Sequence, residues 1–158
     1  MNTMHEILRE FRYGIYIVGV KGRDEDDTNA LLVSWLTQCS FEPPLLMMAV
    51  RRDSRSFELI REGQAFSVNI ISPDQKDLAR RFVKPSDRVG DKFEDTAEPG
   101  GATGAPVLRD ALAHLECRVQ SITEPGDHAV VIGEVVNAVR REAGPQLMCS
   151  DMPWTYGG

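Results

Sequence analysis

Residues 112–140 read LAHLECRVQSIT, then EPGDH, then AVVIGEVVNAVR. The two flanking stretches, 112–123 and 129–140, are long and rich in strand-forming residues. Pro125-Gly126 stands at the centre of the link between them. Proline fixes a negative φ and glycine permits the positive φ that follows, so the link predicts a type II turn. Two long strands on one tight turn point to an antiparallel sheet.

Reading outward, the rest of the chain carries the same signal. Residues 14–21 (GIYIVGVK) are β-branched and aromatic and predict a strand. The polar run GRDEDD at 22–27 predicts a turn, and 29–35 a second strand that closes a hairpin. Residues 45–50 form a short apolar run behind Pro43 and Pro44, the pattern of a buried strand. Residues 65–71 (AFSVNII) predict another strand, and 146–152 a last short one. Helices are few and short: an amphipathic one at 2–11 with Ile7 and Phe11 four apart, one from the Ser54 cap to Gly63, and one over 73–82. Residues 84–104, rich in Lys, Asp, Gly and Pro, predict a long loop. Six or seven strands without regular helix alternation argue against a doubly wound fold. They predict a mainly β, closed or partly closed antiparallel barrel with a few short helices.

The 158 residues fit one domain over 1–158, and such a domain buries about 68–70% of its unfolded surface. With 42% hydrophobic and 27% charged residues the composition is that of a globular protein. A net charge of −6 and a pI near 5.1 argue against nucleic acid and against anionic membrane surfaces as partners. No apolar run approaches the roughly 20 residues of a membrane span. Three cysteines, Cys39, Cys117 and Cys149, give no disulfide framework. No secretory leader is legible at the N-terminus, so a reducing, cytoplasmic setting is expected. The charge is uneven: residues 51–92 hold ten Lys or Arg against seven Asp or Glu, in an otherwise acidic chain. A basic middle suits an anionic group such as a phosphate.

Metal and hydrolase signatures are missing: no His-Glu-x-x-His, no Cys-x-x-Cys, no Gly-x-Ser-x-Gly, no Walker loop, no Gly-x-Gly-x-x-Gly. No metal site is expected. Cys39 reads as a small buried thiol rather than a nucleophile paired with His128. What remains is a run of small polar residues, Asn29, Ser34, Thr37, Gln38, Cys39 and Ser40, followed by Arg51-Arg52-Asp53-Ser54-Arg55-Ser56 opening a helix. Hydroxyls, backbone N–H groups and a helix N-terminus are the parts that hold a phosphate. Leu36, Met47 and Met48 are apolar neighbours for a flat ring. Trp154 and Tyr156 suggest that the C-terminal tail folds back, since each buries about 150–250 Å² when packed.

The ordered pieces Asn29-Ala30-x-x-x-Ser34-Trp35-x-Thr37-Gln38-Cys39-Ser40-Phe41-x-Pro43-Pro44, Ser54-x-Ser56-Phe57, Phe66-Ser67-Val68-Asn69, Asp91-Lys92-Phe93, Gly126-Asp127-His128 and Gly133-Glu134-Val135 resemble the flavin reductase-like, FMN-binding split-barrel family. The closing Tyr156-Gly157-Gly158 is similar to one branch of it. The resemblance runs from about Tyr13 to the end. It implies a Greek-key split barrel of about six strands, a homodimer, and FMN (or FAD in its place) bound without a covalent link. It implies flavin-binding roles for Ala30, Ser34, Trp35, Thr37, Gln38, Cys39, Ser40, Arg51, Ser54 and Lys92, with Trp154 and Tyr156 near the ring. It implies that His128 meets the nicotinamide donor. The expected activity is an NAD(P)H:flavin oxidoreductase, passing a hydride from NADH or NADPH to flavin and supplying a partner monooxygenase. The alternatives are an FMN-holding electron-transfer protein serving a redox partner, and a flavin-binding module without turnover.

Overall fold

The computed structural model describes residues 2–83, 93 and 95–157. The chain opens with α1 (Thr3–Arg9), capped by the Asn2 side chain accepting from the Met4 N–H. Four strands follow: β1 (Tyr16–Lys21), β2 (Thr28–Val33), β3 (Leu36–Ser40) and β4 (Leu45–Arg51). Helix α2 (Arg55–Gly63) leads to β5 (Ala65–Ile70), a 3-10 turn (Pro73–Gln75) and α3 (Lys76–Arg81). Short strands β6 (Ala97–Pro99) and β7 (Pro106–Leu108) precede the long pair β8 (Ala113–Thr123) and β9 (His128–Arg140).

Seven strands make one antiparallel sheet in the order β2-β1-β5-β8-β9-β4-β3. Within it β4 lies beside β9 of the β5-β8-β9 run, a Greek-key order. The edges, β2 and β3, are consecutive in the chain, with only Ser34 and Trp35 between them. Three Cα steps span at most about 11 Å. A flat seven-stranded sheet would hold its edges about 29 Å apart, at roughly 4.8 Å per spacing. The sheet therefore curls until its edges nearly meet, and the Ala49 N–H donates to the Trp35 carbonyl at 2.9 Å to fix the crossing. The edges do not pair with each other, so the barrel stays split.

Strand β1 is buried on both faces, so alternation along it feeds two cores. Val18 and Val20 face the barrel interior with Met48, Val50, Phe57, Phe66 and Val131. Ile15 and Ile17 pack outside the barrel with Ile71, Ala79, Phe82, Leu108, Leu147 and Met152. The quoted Ser67 and Asn69 are structural: both are buried on β5 and tie β7 to the sheet. Asn69 donates to the Ile17 carbonyl at 2.9 Å and accepts from the Leu108 N–H at 2.8 Å. The Ser67 hydroxyl donates to the Pro106 carbonyl. Gly19 permits this approach, since a Cβ there would lie 2.1 Å from the Pro106 oxygen.

Several local expectations need correction. Gly126 has no positive φ, so the β8–β9 link is not a type II turn. Helix α2 ends on Gln64 in the left-handed region at φ 56, not on Gly63. Gly63 is instead a close approach, where a Cβ would meet the Lys21 carbonyl oxygen at 1.9 Å. Residues 146–152 form no strand: Met148 makes one bridge to Gly14 and a 3-10 turn follows at Cys149–Asp151. Part of the expected loop 84–104 is strand β6, paired with β7; residues 84–92 lie outside the described residues. Cys39 is exposed, because β3 is an edge strand with its central residues in solvent; the buried thiol is Cys117, pushed up to about 12 by burial and by Glu116.

Candidate functional site

The meeting of the two sheet edges leaves a cavity of about 620 Å³. Its walls are β2, the Ser34-Trp35 crossing, the end of β4, the start of α2, Phe82 and Val83 after α3, and the C-terminal tail. That size suits a cofactor or a small-molecule ligand. Ala30, Leu32, Ala49 and Val50 supply apolar wall. At one end α2 presents its N-terminus. Its first-turn amides at Arg55 and Ser56 have no intrahelical acceptor by geometry. The Ser54 hydroxyl caps the helix, accepting from the Phe57 N–H at 3.1 Å and donating to the Arg51 carbonyl at 2.8 Å. Buried Asn29 donates to the Ser56 hydroxyl at 2.9 Å, binding β2 to the helix start.

Among the described residues two cations border the cavity, and each has a carboxylate. Arg51 grips Asp53 with two bonds at 2.9 and 2.6 Å. That hydrogen-bonded pairing holds Arg51 above and Asp53 below their ordinary values. Arg55 pairs with Asp27.

At the other end three aromatic rings converge. Trp35 lies 4.7 Å from the His128 ring and 4.9 Å from Tyr156, centroid to centroid. His128 Nδ1 lies 2.7 Å from Asp127 Oδ1, and Nε2 lies 2.5 Å from the Tyr156 hydroxyl. The hydrogen bond with His128 holds Asp127 below the usual carboxylate range. Burial pushes the Tyr156 phenol up, the nearby Arg51 charge opposes this, and Asp127 and Asp53 add to it. Arg9 of α1 donates to the Gly157 carbonyl at 3.2 Å and ties the tail down. The Trp35 indole N–H is buried without a hydrogen-bond partner.

A profile described as the Flavin reductase like domain matches residues 8–153. The chain belongs to that family. A flavin reductase (NADH) from Kitasatospora aureofaciens is 36% identical over 137 residues, 85% of this chain and 70% of that protein. A putative diflavin flavoprotein A 6 from a Nostoc strain is 39% identical over 119 residues, 75% of this chain; the match spans 21% of that much longer protein. Among solved structures, BorF, the flavin reductase component of a bacterial two-component tryptophan halogenase, superposes with a TM-score of 0.83 at 27% identity. It covers 98% of this chain and 96% of BorF.

Of the family-implied residues, Ala30, Ser34, Trp35, Arg51, Ser54, Trp154 and Tyr156 line the cavity. The Ser34 hydroxyl accepts from the Cys149 thiol at 3.3 Å. His128 does not line the cavity and stands behind Trp35 and Tyr156. Thr37, Gln38, Cys39 and Ser40 run along β3, outside the cavity lining, where Thr37 and Gln38 bond to neighbouring backbone. Lys92 lies outside the described residues. The Arg51–Ser56 run is legible in the sequence as a phosphate segment, with only Arg51 and Ser54 singled out in it. The signal was present in the alternating Arg51-Arg52-Asp53-Ser54-Arg55 run, but not which charges pair.

Proposed function

We propose that this chain is an FMN-binding NAD(P)H:flavin oxidoreductase, a single flavin reductase-like domain over residues 1–158. The observation that carries the reading is the cavity where the sheet edges meet, with a helix N-terminus at one end and the Trp35 ring in its wall. These features fit a flavin: apolar and aromatic wall for the ring, and first-turn amides for a phosphate. A bound flavin would supply the hydride-accepting chemistry, and the protein would supply position, water exclusion and electrostatics.

In this reading Ala30, Ser34 and Trp35 bind the ring side. The α2 N-terminus at Ser54–Ser56, with Arg55, takes the phosphate, and Arg51 contributes positive potential already shared with Asp53. Lys92 remains a proposed second cation. Thr37, Gln38, Cys39 and Ser40 continue the crossing away from the cavity, where a ring overhanging β3 would meet them. Trp154 and Tyr156 close the tail side, and His128 places the nicotinamide donor.

NADH is the first donor to try, because the Kitasatospora relative is named for it; NADPH is the other. The partner suggested by BorF's description is a halogenase, and a monooxygenase remains the partner expected from the family resemblance. We also propose a homodimer: α1 buries none of its residues, its Ile7 and the following Phe11 outside the helix are exposed, and Phe41 beside the open edge of β3 is 90% exposed. A second copy would cover such surface and edges. The free thiols suit the cytoplasm.

Purified protein reconstituted with FMN should be yellow and bleach anaerobically with NADH or NADPH. Colour that never bleaches with either donor would refute the reductase reading. The diflavin relative supports a second reading, a flavin-holding electron-transfer unit. Flavin that stays on the protein through gel filtration after reduction would favour it; release of reduced flavin favours the reductase.

A further inference from the structure

His128 and Tyr156 divide one task between them. Tyr156 lines the cavity, whereas His128 does not. The ionised Asp127 can only accept, so Nδ1 of His128 carries a hydrogen toward it. In the neutral ring Nε2 is then bare and takes the Tyr156 O–H for itself. In the charged ring Nε2 carries a hydrogen and donates to the phenol oxygen. The phenol O–H is then released to point elsewhere, and the cavity is the space that Tyr156 borders.

The geometry points to Tyr156 as a pH-gated hydrogen-bond donor to the ring bound in the cavity, with the Asp127–His128 pair deciding whether its O–H is offered or withheld. This rests on the flavin reading for the ligand but not for the switch. Among the described residues the pair is faced by Arg51, Asp53, Tyr156, and Arg52 with its partner Glu124; Arg52 donates to the Gly126 carbonyl at 3.1 Å. Arg51 comes from the strand paired opposite, in register Arg51↔His128. Asp53 follows it, Asp127 precedes His128, and Tyr156 is on the tail. Arg51 is held above its ordinary value, Asp53 and Asp127 below theirs, and Tyr156 above its own. Imidazole is, in general, the side chain whose unperturbed charge change falls between pH 5 and 8. Arg9 ties the tail down through the Gly157 carbonyl at 3.2 Å, a contact that does not involve the imidazole.

The test uses riboflavin, which has no phosphate of its own to titrate. Its dissociation constant is measured by fluorescence at pH 5.5 and pH 8.5 for the wild type, Tyr156→Phe and His128→Gln. The wild type should bind about three- to tenfold tighter at pH 5.5, the worth of one hydrogen bond. Tyr156→Phe keeps the ring against Trp35 and should bind at both pH values with the weaker constant. His128→Gln should also lose the pH dependence. In the flavin-free protein labelled with 13C-histidine, the His128 signal, identified by its loss in His128→Gln, should titrate differently in Tyr156→Phe. Equal wild-type affinity at both pH values, a retained slope in Tyr156→Phe, or an unchanged His128 titration would each overturn the switch. Failure of the wild type to bind riboflavin or FMN at all would instead overturn the functional reading, and the flavin-free spectra would still judge the Tyr156–His128 contact.

Discussion

Glu116 is the most consequential buried charge in the fold. Its side chain is fully buried, on β8. Four donors reach its carboxylate: the Asn137 amide at 2.7 Å, the Thr103 N–H at 2.9 Å, the Thr103 hydroxyl at 3.0 Å and the Ala102 N–H at 3.1 Å. It thereby anchors the turn that returns β6 to β7. Burial is the largest influence on this group and pushes it up, but the bonds from Asn137, Thr103 and Ala102 together bring it below the ordinary carboxyl value. Replacing Glu116 with Gln keeps the shape. If the Asn137 amide flips, three donors keep an acceptor and only the charge is lost. Bonds to a charged group are worth about 1.5–3 kcal/mol against 0.5–1.5 for neutral ones. The variant should then be about 1–2 kcal/mol less stable at pH 7, or about 2–8 °C lower in Tm. The carboxylate's folded value lies below its unfolded one, so its contribution is complete above about pH 4.3 and is lost as pH falls through the folded value. The gap between wild type and Glu116→Gln should therefore narrow as pH falls below about 4.3. Both proteins also lose stability in acid through His114. Burial, then the Arg141 charge, holds its folded value low, so protons favour the unfolded chain as pH falls below about 6.5. The Glu116 charge partly offsets this lowering, so the loss is greater in Glu116→Gln and widens the gap between pH 7 and pH 5, before protonation of the carboxylate narrows it. Urea unfolding at pH 7, 5 and 3 measures the gap. A gap that is zero at pH 7, or unchanged at pH 3, would refute the argument.

Three further outcomes are expected. FMN should bind more tightly than riboflavin by about 1.5–3 kcal/mol if one charge-assisted bond to the phosphate forms, and Arg55→Ala should shrink that difference in calorimetry while leaving riboflavin unchanged. Deleting residues 153–158 should raise the fluorescence of bound flavin and change its reduction rate in stopped flow, since Trp154 and Tyr156 line the cavity; unchanged values would make the tail a passive end. Sedimentation should give a dimer, and a monomer that retains its full complement of flavin would exclude the proposed pairing.

Local chemistry alone settled much of this molecule. The β-branched runs at 14–21, 45–50 and 65–71, the long pair at 112–140 and the Ser54 cap are all written in short-range pattern, because strand periodicity and helix capping involve only a few neighbouring residues. The ordered small motifs also carried the family. Partnership was not legible. Alternation says which face of β2 or β3 is apolar but not that these consecutive strands occupy opposite edges of one sheet; only the closing of the barrel makes them neighbours. Ser67 and Asn69 look like surface polarity in a strand until β7 lies across them. Cys39 reads as a buried thiol in the sequence and is exposed in the fold, because composition cannot tell an edge strand from a central one. The site depended most on tertiary structure. Arg51 faces His128 because β4 and β9 pair in that register, and Tyr156 reaches the imidazole from 28 residues away because Arg9 and Trp35 hold the tail back. Such contacts come from long-range closure of the chain, whose free energy is spread over the whole core and so leaves no signature in any single stretch of sequence.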